Sequence, residues 1–172
     1  MKHLSVKSAK KNNLTGKLWF FICLLAVACI DQISKRAVVS MLVPYQSIPI
    51  IPGFFHITFI YNSGATFGML QGRGTFFIIA ACLMTLAICW FALFHRGLGT
   101  APRIILGLIT GGALGNLTDR LHYGAVVDFI DFRGIWPYIF NAADSAIVCG
   151  GFLLAICFLY EESKTKKTMP KH

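Results

Sequence analysis

Five aspartates, Asp31, Asp119, Asp128, Asp131 and Asp144, lie in or beside long apolar runs of a 172-residue chain whose only other acids are Glu161 and Glu162. An aspartate near the middle of a membrane helix costs about 2.5 to 3.5 kcal/mol to insert, so acids gathered in such runs point to a use. The chemistry open to them is acid–base. Two carboxyl groups close together in a water-poor pocket cannot both ionise, so one keeps a proton and polarises a carbonyl while the other activates water. A serine nucleophile has little support: there is no G-x-S-x-G, and Ser34 and Lys35 are adjacent, which turns their side chains apart on a helix. H-E-x-x-H and Gly-rich phosphate loops are absent too, and no metal or organic cofactor is expected.

Spacing supplies neighbours for the acids. Asn116, Asp119 and Arg120 stand at i, i+3 and i+4, and Asn141, Asp144 and Ser145 repeat that arrangement. Asp31 and Lys35 form an i, i+4 pair in the favourable acid-first order, which reads first as a charge-neutralising bridge near the interface. By spacing alone, Asp119 and Asp128 are equally good partners for Asp144. A polar clamp between helices would also account for Asn116, Arg120, Asn141 and Ser145 without catalysis.

The elements that must position these groups are membrane helices. Hydrophobic residues make up 56% of the chain and charged ones 13%, and a mean hydropathy of +0.66 describes an integral membrane protein. Four apolar segments, near 18–40, 74–94, 104–121 and 139–160, are long enough to cross a core of about 30 Å as helices. The expected fold is all-α, four transmembrane helices with a small extracytoplasmic β-like segment at about 44–71. Residues 1–17 and 161–172 form basic tails around a single membrane domain, 18–160.

The net charge of +9 does not mark a nucleic-acid binder, because its distribution is that of membrane orientation. Lys2, Lys7, Lys10, Lys11 and Lys17 precede the first span, Lys164, Lys166, Lys167 and Lys171 follow the last, and Arg96 and Arg103 bracket the loop between the second and third. Both termini are therefore expected in the cytoplasm. Lys35, Arg36, Arg73, Arg120 and Arg133 fall at outer helix ends or in outer loops, where long side chains can snorkel. The six cysteines all lie inside predicted spans and read as small buried apolar residues.

In the outer segment, Pro44, Pro49 and Pro52 break helix, while Phe55, Ile57, Phe59 and Tyr61 alternate with His56, Thr58, Ile60 and Asn62 as in a half-buried strand. Asn62-Ser63-Gly64 reads as a turn, and Gly64 to Gly68 as backbone that approaches something closely. On the third helix, Gly107, Gly111 and Gly115 form a small-residue row suited to close helix contact. This topology puts all five aspartates near the outer face, where Asp131 reads as an exposed loop acid. A shared site at that interface is the economical explanation; a proton- or cation-coupled carrier would spread its ionisable groups over several depths.

Five strings in order, Asp31-Gln32-Ile33-Ser34-Lys35, Asn62-Ser63-Gly64-Ala65-Thr66-Phe67-Gly68, Gly111 through Arg120, Val126-Val127-Asp128-Phe129 and Phe140-Asn141-Ala142-Ala143-Asp144-Ser145, resemble the motif series of the lipoprotein signal peptidases, signal peptidase II. The resemblance spans about 18 to 160 and departs from the usual pattern at Thr66, where alanine is common, and in the length of the basic N-terminal extension. It implies a bacterial inner-membrane aspartyl endopeptidase that acts near the outer face. Its expected substrate is a diacylglyceryl-modified prolipoprotein, cut just before the lipidated cysteine, and its expected inhibitors are of the globomycin type. By this resemblance Asp128 and Asp144 are the catalytic pair, Asn62, Asn116, Asp119, Arg120 and Asn141 shape the site and orient substrate, and Asp31 with Lys35 supports it.

Overall fold

A computed structural model describes residues 2–64 and 74–168, with side chains described over 14–64 and 74–164. The expectations placed on Ala65 to Gly68 and on Arg73, and on the side chains of the terminal lysines other than Lys17 and Lys164, fall outside that range. Among the described residues there are four helices: α1 (Lys2–Met41), α2 (Gly74–Phe94), α3 (Thr100–Tyr123) and α4 (Ala142–Thr168). Strands β1 (Ser47–Ile51), β2 (Phe55–Asn62) and β3 (Val126–Phe132) form one antiparallel sheet in the order β1-β2-β3.

Among the described residues, three stretches are long and apolar enough to cross a membrane: Leu14–Met41, Gly74–Phe94 and Ala142–Lys164. Their large side chains face outward, as Leu18, Ile33, Leu83, Trp90, Phe152 and Leu159 do, which suits lipid and not water. Helix α3 is different. It is the buried centre of the bundle, packed on α1, α4 and α2, and so carries glycine, threonine and charge where the others carry leucine and phenylalanine. A Cβ added at Gly107 or Gly111 would lie 2.5 Å from the carbonyl oxygen of Phe20 or Leu24, and one at Gly115 would strike the Asp31 carboxylate. The small-residue row thus seats α1 directly on α3.

At its C-terminus α3 stops on Gly124 in the left-handed conformation (φ 71°), whose N–H donates to the Arg120 carbonyl at 3.1 Å. The chain turns there straight into β3, which brings Asp128 back over the helix it has just left. Beyond β3, Phe140 bridges to Ile130, so Asn141 emerges beside Asp128 at the start of α4. Strand β1 lies at the sheet edge, where Pro49 is tolerated for want of a donor. One sheet face packs Phe59, Val127 and Phe129 on Val38 and Leu42 of α1.

Several expectations are corrected here. Asp131, expected as an exposed loop acid, is a buried residue of the strand that also carries Asp128, accepting from the Thr58 hydroxyl at 2.6 Å and from Arg133 Nε at 3.1 Å. In β2 simple alternation fails, since His56, Thr58 and Phe59 are buried and Tyr61 is exposed; the register shifts between Ile57 and Ile60. Arg103 belongs to no loop. It is buried in the first turn of α3 and donates to the carbonyls of Ala92, His95 and Leu98, satisfying the end of α2 with a cation where the helix dipole is negative. None of the cysteines is fully buried, and Cys29 and Cys149 are exposed on the outward surfaces of α1 and α4.

Candidate active site

The start of α4 is built by reciprocal capping. Asn141 Oδ1 accepts the Asp144 N–H at 2.8 Å while the Asp144 carboxylate accepts the Asn141 N–H at 3.3 Å, as in a capping box. From α1, Asp31 Oδ1 accepts the next free donor, the Ala143 N–H, at 2.8 Å. Two carboxylates therefore meet the positive end of one helix.

Behind them Lys35 reaches inward, 2% exposed, with an acceptor for each of its three protons: Asp31 Oδ2, Asp119 Oδ2 and Asn116 Oδ1, each at 2.8 Å. This settles the amide of Asn116. Its oxygen accepts from Lys35 and from Asn141 Nδ2 (3.2 Å), so its nitrogen must point the other way, donating to Asp144 Oδ1 at 2.8 Å. Asp119 also accepts the Val127 N–H at 3.0 Å and Gln32 Nε2 at 2.8 Å, tying β3 and α1 to α3.

Asp128, 1% exposed, comes from β3 and receives a donor on each oxygen: Asn141 Nδ2 at 2.6 Å and Asn62 Nδ2 at 2.9 Å. Asn62 is held in turn by its own loop, since its Oδ1 accepts the Gly64 N–H at 3.0 Å in an Asx turn. Burial, with the neighbouring Asp144 adding to it, pushes the Asp128 carboxyl up to about 7, against the pull of the two asparagine donors.

Both carboxylates open onto one cavity of about 390 Å³. Polar Asn62, Asn116, Arg120, Asp128 and Asp144 share its lining with apolar Phe77, Ala80, Ala81 and Met84 from α2 and with Ile109, Ala113 and Ile147. Arg120 lies over the Phe77 ring at 5.2 Å and donates to the Gly64 carbonyl at 3.2 Å. Such a lining offers both polar and apolar contacts to one ligand. Among the described residues no cluster of His, Cys, Asp or Glu could hold a metal ion.

The structure brings Asn62, Asn116, Arg120, Asp128 and Asp144 to the cavity wall, and sets Asn141, Asp119, Lys35 and Asp31 immediately behind it. Lys35 is the correction: it does not snorkel to an interface but is the buried hub of the cluster. Sequence reasoning also passed over Gln32 and Phe77. A glutamine one residue from a buried aspartate in an apolar run was a usable signal for the first; nothing distinguishes Phe77 from its apolar neighbours before the helices are packed.

Residues 23–160 match the family model described as Signal peptidase (SPase) II. A Lipoprotein signal peptidase of Desulfitobacterium hafniense (strain Y51) is 47% identical over 142 residues, 83% of this chain and 93% of the relative. One of Clostridioides difficile (strain 630) is 43% identical over 152 residues, 87% of this chain and 99% of the relative. A solved structure described as "Bacterial membrane enzyme structure by the in meso method at 2.3 A resolution" has a TM-score of 0.79 at 33% identity, over 88% of this chain and 94% of that one. Motif order, bundle architecture and relatives agree: the chain belongs to the signal peptidase II family of membrane-bound lipoprotein signal peptidases.

Proposed function

We propose that this chain is an aspartyl endopeptidase that cleaves the signal peptide from diacylglyceryl-modified prolipoproteins, just before the lipidated cysteine, with Asp128 and Asp144 as its catalytic pair. The observation that carries the reading is the placement of two carboxylates from different elements, Asp128 buried and Asp144 partly buried, on one cavity whose lining is otherwise largely apolar. The peptide bond lies at the two carboxylates and the acyl chains run between α2 and the α3/α4 pair. The pair shares one proton. The ionised carboxylate takes a proton from water as the water oxygen bonds to the scissile carbonyl carbon, and the protonated one donates to the carbonyl oxygen. Collapse of the tetrahedral intermediate breaks the C–N bond, with a proton delivered to the leaving cysteine amine. No metal or organic cofactor takes part.

In this reading Asn62, Asn116 and Asn141 fix the carboxylates, Arg120 orients the substrate backbone, and Asp119, Asp31 and Lys35 hold the framework. All four helices cross the bacterial inner membrane with both termini cytoplasmic, α3 included, its low apolarity reflecting its central place. The site then lies near the outer face, and basic residues such as Lys17 and Arg96 lie inside. The purified protein, given a diacylglyceryl-modified prolipoprotein, should release a product whose new N-terminus is the lipidated cysteine, as read by mass spectrometry. Globomycin should block the release. Cleavage elsewhere, or none, contradicts the reading.

A further inference from the structure

The hydrogen bonds of β2 pose a geometric problem. Asp128 and Asp131 are three residues apart on β3 and so project from opposite faces of the sheet. Thr58 bonds to Asp131 and Asn62 bonds to Asp128, so these two residues of β2 also lie on opposite faces. Four residues apart in a regular strand, they would share one. The register supplies the answer: Ile57 pairs with Ile130 but Ile60 pairs with Asp128, leaving Thr58 and Phe59 opposite the single residue Phe129. This is a β-bulge, and it inverts the parity of everything after it.

Side chains pin the bulge in place. Thr58 Oγ1 donates its only proton to Asp131 Oδ2 at 2.6 Å, so Ser47 must be the donor in its 2.8 Å bond to Thr58. Ser47 Oγ accepts from Arg133 Nη2 at 2.8 Å, and Arg133 Nε returns to Asp131 at 3.1 Å. On the same face, Phe59 is buried in the apolar cluster with Val127 and Phe129. With the bulge locked, Asn62 faces the cavity; without it, a continuous register would turn the Asn62 amide to the opposite face.

We propose that Thr58 and Asp131 are positioning residues for the active site, their hydrogen bond holding the bulge that presents Asn62 to Asp128. The proposal rests on the catalytic reading of Asp128, and its test separates the two. Thr58→Val removes the hydroxyl at nearly constant shape, Thr58→Ser restores it, and Asp131→Asn keeps an acceptor that Asp131→Leu lacks. Thr58→Val and Asp131→Leu should each lower kcat about tenfold, the scale of one lost hydrogen bond to a charged group, while Thr58→Ser and Asp131→Asn stay near wild type. Asn62→Ala should lower kcat similarly and move the basic limb of the pH–rate profile upward, because a donor to the carboxylate is gone. Thr58→Val should move that limb in the same direction, and in the Asn62→Ala background it should do nothing more.

Fully additive losses in the double variant, or a Thr58→Val limb that stays put, overturn the proposal, as does a wild-type rate in Thr58→Val. An inactive Asp128→Asn beside any of these outcomes leaves the catalytic reading standing and the positioning role refuted. A fully active Asp128→Asn refutes both.

Discussion

Lys35 shows how much of this site is decided by single side chains. Its ammonium is saturated by two carboxylates and one amide oxygen, so replacing it strands Asp31 and Asp119 as buried like charges. Lys35→Met should therefore cost about 3 to 5 kcal/mol, read as a large drop in melting temperature in detergent, with activity lost alongside it. Asp128 has the opposite character. Its folded carboxyl titrates at about 7, above the roughly 3.9 of an unfolded aspartate, so its contribution to stability is full below the lower value and is lost as pH rises through the upper one. The difference in melting temperature between Asp128→Asn and the unsubstituted protein should thus shift in favour of the variant between pH 5 and pH 8. A difference that stays flat across that window contradicts the raised carboxyl.

At the scale of elements, the bundle depends on how closely α1 and α3 approach. Gly111→Ala sets a methyl 2.5 Å from the Leu24 carbonyl, against backbone that cannot yield, and should destabilise the protein by about 1 to 3 kcal/mol with the site displaced as the helices part. Gly151→Ala on α4, where nothing lies within 4 Å, is the matched control and should be neutral. Elements are also where sequence reading succeeded and failed for identifiable reasons. Three of the four expected spans were legible because outward leucines and phenylalanines carry the signal in bulk, and the glycine row because its period is local. β3 was missed although Val126-Val127-Asp128-Phe129-Ile130-Asp131-Phe132 is mostly β-branched and aromatic, because the stretch between the third and fourth apolar segments was taken whole as an outer loop. The faces of β2 could not be read at all: a bulge defeats alternation, and only the partner strand reveals it. Lys35 was misplaced since two of its three acceptors lie more than eighty residues away, where no local spacing reaches.

Across the whole molecule, the arrangement is a polar core at one end of an apolar bundle. Asp31 and Lys35 from α1, Asn116 and Asp119 from α3, Asp128 from β3 and Asp144 from α4 converge within a few hydrogen bonds of one another. No two successive elements could build that alone, which is why spacing left Asp119 and Asp128 as equal partners for Asp144 and the motif series was needed to choose between them. Asp119 is in fact occupied on both oxygens, by Gln32 and by Lys35 with Val127, and lies behind the cavity wall, whereas Asp128 faces the cavity. Whether Asp128 and Asp144 together direct water at the peptide bond is decided by single-turnover cleavage of a diacylglyceryl-modified prolipoprotein by purified Asp128→Asn and Asp144→Asn. Melting curves on the same samples establish that each is folded. Neither folded variant should give detectable cleavage; cleavage at the unsubstituted rate by either one would rule out the dyad.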